Sequence, residues 1–151
     1  RYAPMAGNIF TLKFTIIDDK EKIQKLADAA QQPFIATAHY VVVVCSNNSK
    51  TKNSFNKRAE KYTNQQAGAA IENFLLKIEE KKLATCWIGH FVDAIVKKVL
   101  KIPANVDVEA MFPIGVEYDK TRTIKYKADL DTILYFNEYK NKKMKKPNKV
   151  D

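Results

Sequence analysis

The stretch Thr37-Ala-His-Tyr-Val-Val-Val-Val-Cys45 is apolar at odd and even positions alike. A strand with one wet face alternates between apolar and polar side chains. A strand apolar on both parities has to be covered on both faces. The run therefore predicts a central strand, and it demands layers of other structure above and below. At 151 residues the chain has room for one ordinary domain to supply them. The longest apolar run, Tyr40 to Cys45, is strand-sized and well short of the roughly 18 residues of a membrane span. No secretory apolar region opens the chain, so a cytoplasmic location is expected, with no membrane partner.

Residues 10–17 are β-branched and aromatic and mostly alternate, which predicts a second strand. Asp18-Asp19 stops it and caps a short helix from Lys20 to Ala30, where Ile23, Leu26, Ala27 and Ala30 recur at helical spacing. Ser46 to Tyr62 is polar and has no hydrophobic period, and reads as a loop with some helix near its end. Residues 65–82 predict the longest core helix, with Ala67, Ala70, Ile71, Phe74, Leu75 and Ile78 as its stripe. Gly68 inside that helix is expected to mark a close approach by another backbone or a ligand. A short strand over Leu83–Ile88 follows. A helix capped by Asp93 comes next, with stripe Ile95, Val96, Val99 and Leu100, and then a strand over Val106–Val116. Leu130 to Tyr139 predicts a closing amphipathic helix with Leu130, Ile133 and Leu134 inward. The chain opens on Arg1 rather than Met, and Arg1–Pro4 reads as a helix end running into a turn, so structure is expected upstream. The fold class is α+β, a central β-sheet flanked by helices, with a domain over residues 1–139 and a basic tail over 140–151.

The net charge of +9 is concentrated in that tail, whose last twelve residues carry six lysines against Asp151. The remaining body is only +4. A nucleic-acid surface carries its cations on a folded face among exposed aromatics. The tail has no aromatic after Tyr139, so it reads as a solvated segment and no nucleic-acid partner is expected. Two cysteines and two histidines exclude a disulfide scaffold and a zinc cluster, so no metal is expected. Cys45 and Cys86 lie in apolar contexts and read as buried and structural. Gly-x-Ser-x-Gly, phosphate-loop and Gly-x-Gly-x-x-Gly motifs are all absent. No catalytic side chain is assigned; if the protein is an enzyme, a cofactor carries the difficult step.

Three blocks, in order, resemble the FMN-dependent nitroreductase family. The first is Arg1-Tyr-Ala-Pro-Met-Ala-Gly-Asn8. The second runs from Ala67-Gly-Ala-Ala-Ile-Glu-Asn-Phe-Leu-Leu76 through Thr85-Cys-Trp-Ile-Gly-His-Phe91 and Val99-Leu-Lys-Ile-Pro103 to Phe112-Pro-Ile-Gly115. The third is Lys125-Tyr-Lys127 followed by Leu130-Asp-Thr-Ile-Leu134. The resemblance implies a nitroreductase-like fold and a homodimer with FMN at the interface. It also implies ping-pong hydride transfer from NAD(P)H to a nitroaromatic, quinone or similar small-molecule acceptor. The flavin turn carries over to Pro4, Met5, Ala6 and Asn8, often in the partner subunit's site, and Gln32 to a residue facing the pyrimidine end. Trp87, Ile88, Gly89 and His90 match the backbone segment along the ring, where Gly89 permits close approach. Lys125 and Lys127 match a basic pair suited to the phosphate. This sequence departs from the family pattern at Met5, where a Ser is usual, at Phe10-Thr11-Leu12 and at His90. It also lacks an Arg-rich segment that in the family lies upstream. Those departures leave a second function open, a nitroreductase-fold protein that binds flavin or another flat ligand without turnover.

Overall fold

A computed structural model describes residues 1–117 and 126–144, which divide into two units, Arg1–Tyr118 and Asp119–Asp151. In the first unit four strands form one antiparallel sheet: β1 (Leu12–Ile17), β2 (Tyr40–Ser46), β3 (Ala84–Thr85) and β4 (Asp107–Gly115). The order across the sheet is β1-β2-β4-β3. The doubly apolar run is thus an interior strand, as predicted, and Val41 to Ser46 are all buried. Val41, Val43 and Cys45 point to one face, beneath α1 (Lys20–Ala30) and α4 (Asp93–Leu100), where Ile23, Leu26, Val96 and Met111 complete the layer. Val42 and Val44 point to the other face, against Ala67, Ala70 and Ile71 of α3 (Ala59–Glu80), with Leu12 and Phe112. Each of the Val, Leu, Ile, Met and Phe side chains among these contributes about 1.5–3 kcal/mol by leaving water. Two apolar parities therefore specify two helical layers.

Asp19 caps α1 as expected; its Oδ1 accepts the N–H groups of Glu21 at 3.0 Å and Lys22 at 3.2 Å. These backbone donors, that of Lys22 foremost, hold the Asp19 carboxyl below its ordinary pKa. At the next predicted cap the structure differs. Val92 is the N-cap of α4 and Asp93 lies in its first turn. The α4 stripe is also split: Val96 is buried, whereas Ile95 is exposed.

The polar stretch after β2 is not a loop. It holds α2 (Ser49–Phe55), a 3-10 turn and the first turns of α3, which begins at Ala59 rather than near 65. The inward side chains are Thr51, Ala59, Thr63 and Gln66, too small or too polar to register as a hydrophobic stripe. Arg1–Pro4 is an irregular turn without helix. In the second unit the predicted closing helix shrinks to α5, a single turn at Leu130–Ile133 capped by Asp129. Beyond it Lys142 Nζ donates to the carbonyls of Asp131 and Leu134, and Phe136 and Asn141 bond one another. Leu130, Ile133 and Leu134 are exposed rather than inward.

Candidate functional site

The segment predicted to line a flat ligand leaves the sheet at β3. Ala84 and Thr85 pair with Gly115 and Ile114, and a single bridge then joins Ile88 to Met111. Ile88 is buried by that bridge. Trp87 between them is half exposed and meets Phe112 edge-on, with the ring centroids 5.5 Å apart. Gly89 and His90 are exposed. Among the described residues a side chain built at Gly89 would meet only the Trp87 indole, at an ordinary 3.7 Å, so none of them demands glycine there. The segment returns to the body through the Val92 N–H, which donates to Ala29 O at 2.9 Å near the end of α1.

That same helix end delivers Gln32. Gln31 takes the left-handed conformation at φ 55°, the Gln32 N–H closes on Ala27 O at 3.1 Å, and Pro33 starts a 3-10 turn over Pro33–Thr37. A cleft of about 400 Å³ opens where this turn meets the β3–β4 corner. Phe34, His39, Thr85, Cys86, Pro113 and Gly115 are among its walls. None of these six was singled out as a site residue, although Phe34 and Cys86 are near neighbours of Gln32 and Trp87. The signal that could have found them is register, which puts Pro113 and Cys86 across from one another. Cys86, read as buried, is exposed because β3 ends one residue before it. Cys45 is buried, and desolvation pushes its thiol up to about 11, with Glu109 adding to the rise and Lys97 opposing it.

The Pro4–Asn8 turn lies elsewhere. Leu12 pairs with Ser46, so the turn before it sits beyond the Ser46 end of β2, whereas the cleft sits at the Tyr40 end. Seven strand residues separate the two ends, roughly 20 Å. Ala3 packs on the α3 face and Ala6 lines a tight gap with Thr11, Thr63 and Gln66. Buried Gln66 fastens this region: its Oε1 accepts the Thr11 N–H at 2.8 Å and hydroxyl at 2.7 Å, and its Nε2 donates to Ile9 O. Gly7 and Asn8 are both left-handed, at φ 58° and 57°, and a Cβ at Gly7 would lie 2.9 Å from the Phe55 ring. One chain thus brings the neighbours of Gln32 and of Trp87, namely Phe34, Thr85 and Cys86, to one cleft, which none of the predicted site residues of the first unit itself lines, and keeps Pro4, Met5, Ala6 and Asn8 at the other end of β2. Lys127 is exposed in the second unit, and Lys125 lies outside the described residues.

A sheet between two helical layers, with a cleft of about 400 Å³ at its corner, defines an α+β domain. The nitroreductase family model matches residues 27–116, more than half of the chain, which therefore belongs to the nitroreductase family. Over 132 residues it is 26% identical to a candidate NADH dehydrogenase/NAD(P)H nitroreductase of Archaeoglobus fulgidus, covering 84% of this chain and 72% of that one. It is 32% identical over 85 residues to a candidate nitroreductase of Methanocaldococcus jannaschii, covering 56% of this chain and 43% of the relative. Among solved structures, a nitroreductase family protein from Clostridium novyi matches at 24% identity and a TM-score of 0.70, over 93% of this chain and 77% of that one. An NADPH:FMN oxidoreductase from Vibrio harveyi, complexed with NAD+, matches at 19% identity and a TM-score of 0.79, over 93% and 64%. The predicted nitroreductase-like α+β fold is the one observed. Among the described residues no helix is long and apolar enough to cross a membrane.

Proposed function

We propose that this chain is the core of an FMN-dependent oxidoreductase of nitroreductase type. It takes reducing equivalents from NAD(P)H and passes them to a nitroaromatic, quinone or similar acceptor. The observation that carries the reading is the cleft at which Phe34, two residues after Gln32, meets Thr85 and Cys86, which lead into Trp87–His90, in a chain of this family. The cleft suits a flat heterocycle. Phe34 and Pro113 offer apolar walls, and a Cβ at Gly115 would meet none of the described residues within 4 Å. The Thr85 hydroxyl oxygen at its edge is buried and has no hydrogen-bond partner among the described residues, a state that ordinarily costs about 1–3 kcal/mol. Gln32 and the backbone of Trp87, Ile88, Gly89 and His90 would hold the ring. When bound, the flavin supplies hydride acceptance and release. The protein's own work is to stack the ring, exclude water from one face and aim hydrogen bonds at its edge.

The separation of the Pro4–Asn8 turn from the cleft supports a homodimer, because a second copy can bring its turn to a site the first cannot complete. The outer face of α3 supports it too. Gly68 there faces open space, and Leu76 is 61% exposed. Residues 1–139 would form the working domain, in the cytoplasm, with 140–151 a basic tail. The test is the visible spectrum of the protein after incubation with FMN and desalting, followed by NADH oxidation with a quinone. Retained flavin and turnover are expected. Flavin held without turnover would favour the binding-only function, and a colourless, inactive protein would sink both.

A further inference from the structure

The ladder between β3 and β4 is broken at one defined place. Ala84 faces Gly115, Thr85 faces Ile114 and Ile88 faces Met111, so the register sets Cys86 opposite Pro113. Ile88 and Met111 exchange both of their N–H···O bonds at 3.0 Å. Doubly bonded pairs recur at every second residue of an antiparallel ladder. Cys86 and Pro113 therefore occupy the next such position, where the N–H of residue 113 should donate to the Cys86 carbonyl. Proline has no N–H to give. Among the described residues no backbone bond joins the two, β3 stops at Thr85, and Cys86 and Trp87 stand exposed. On its other side β4 does not need that donor. The β2 ladder runs through Val41 opposite Pro113 without a shift, and the His39 N–H reaches Ile114 O at 3.3 Å. Proline is rare in the interior of a sheet for this reason, and here the lost bond falls on the wall of the 400 Å³ cleft, which both Cys86 and Pro113 line.

We propose that Pro113 is a positioning residue. It keeps β3 from closing onto β4 at Cys86, so that the Cys86 carbonyl stays available to a planar heterocycle bearing a donor on one edge. This rests on the flavin reading above, since the pyrimidine ring of FMN has such an edge. The test is Pro113→Val, which restores the donor in a strand-favouring residue of similar bulk. Hydrogen exchange, FMN binding and thermal melting are read together. The expected result is a slowly exchanging amide at position 113, a melting midpoint no lower than wild type, and FMN affinity weakened about tenfold. A protected amide with unchanged FMN affinity overturns the positioning role and leaves the flavin reading standing. A freely exchanging amide in a folded variant also overturns it, because the break would then have another cause. Wild-type protein that binds no FMN sinks the flavin reading and this proposal together. If valine overpacks the buried site, Pro113→Ala restores the same donor in less volume and is held to the same outcomes.

Discussion

β4 has a different neighbour on each side. Toward β2 it pairs over the whole length of that strand, with one bulge near Cys45, and every residue from Val41 to Ser46 is buried. Toward β3 it pairs at two residues and one bridge, and the chain between them is exposed. The cysteines report the contrast, Cys45 sealed in the complete ladder and Cys86 open at the broken one. A complete ladder spends its backbone polarity internally and leaves apolar side chains to build the core. A broken one leaves amide groups and an aromatic side chain at the surface, where a ligand can use them. Stability is thus concentrated on one side of β4 and the candidate chemistry on the other.

The sharpest way to break this comparison is through the residue that serves both sides. Phe112 is fully buried on β4 and touches Phe74 of α3 and Trp87 of the open segment edge-on, each at 5.5 Å. Phe112→Ala should cost about 3–5 kcal/mol in urea unfolding; a loss below 1 kcal/mol would mean the core does not depend on this strand. Next comes the anchor of the turn. Gln66→Ala strands the Thr11 N–H and hydroxyl and the Ile9 carbonyl, and should cost about 2–3 kcal/mol. Gln66→Glu, which keeps the acceptor for Thr11, should recover part of that loss.

The cysteines sharpen the contrast further. Cys45 stays protonated in the folded protein up to about 11, whereas its ordinary value is 9.0. The folded form therefore binds the extra proton between those values, and stability falls as pH rises from about 9 to about 11, by about 2–3 kcal/mol in all. Cys45→Ala should remove that alkaline slope while lowering stability at pH 7; an unchanged slope would assign it to other groups. A thiol reagent at neutral pH should label Cys86 at once and Cys45 only after denaturant is added. Equal labelling of both would show that the β2 ladder opens readily. The smallest effect is expected at Asp19, on the exposed start of α1. Its depressed carboxyl contributes stability above the ordinary carboxylate pKa and loses it as pH falls through the folded value. Asp19→Ala should lower the melting midpoint slightly at pH 7 and not at pH 2; equal losses at both would argue against an ionic cap.

How far the sequence could be read followed from how local each cause is. Asp19 and α1 were legible because a cap and an amphipathic stripe act within a few residues. α2 and the first turns of α3 were not, because their inward side chains Thr51, Thr63 and Gln66 are polar and form no hydrophobic period. The Leu130–Tyr139 stripe overstated its helix because local polar bonds around Phe136, Asn141 and Lys142 take over after one turn. For the candidate site, the motif at Thr85–Phe91 was visible, but the cleft walls at Phe34, His39, Pro113 and Gly115 required knowing which strands pair.

The sequence by itself determined that a doubly buried strand lies at the centre, that helices cover both its faces, and that the chain carries nitroreductase-family motifs. Side-chain pattern encodes burial directly, so those features need no knowledge of neighbours. Only the tertiary structure decided that Cys86 meets Pro113, that their ladder fails there, and that the Asn8 turn and the cleft stand at opposite ends of β2. Register and strand order are relations between distant segments, and a missing N–H matters only once the carbonyl it would have served is known.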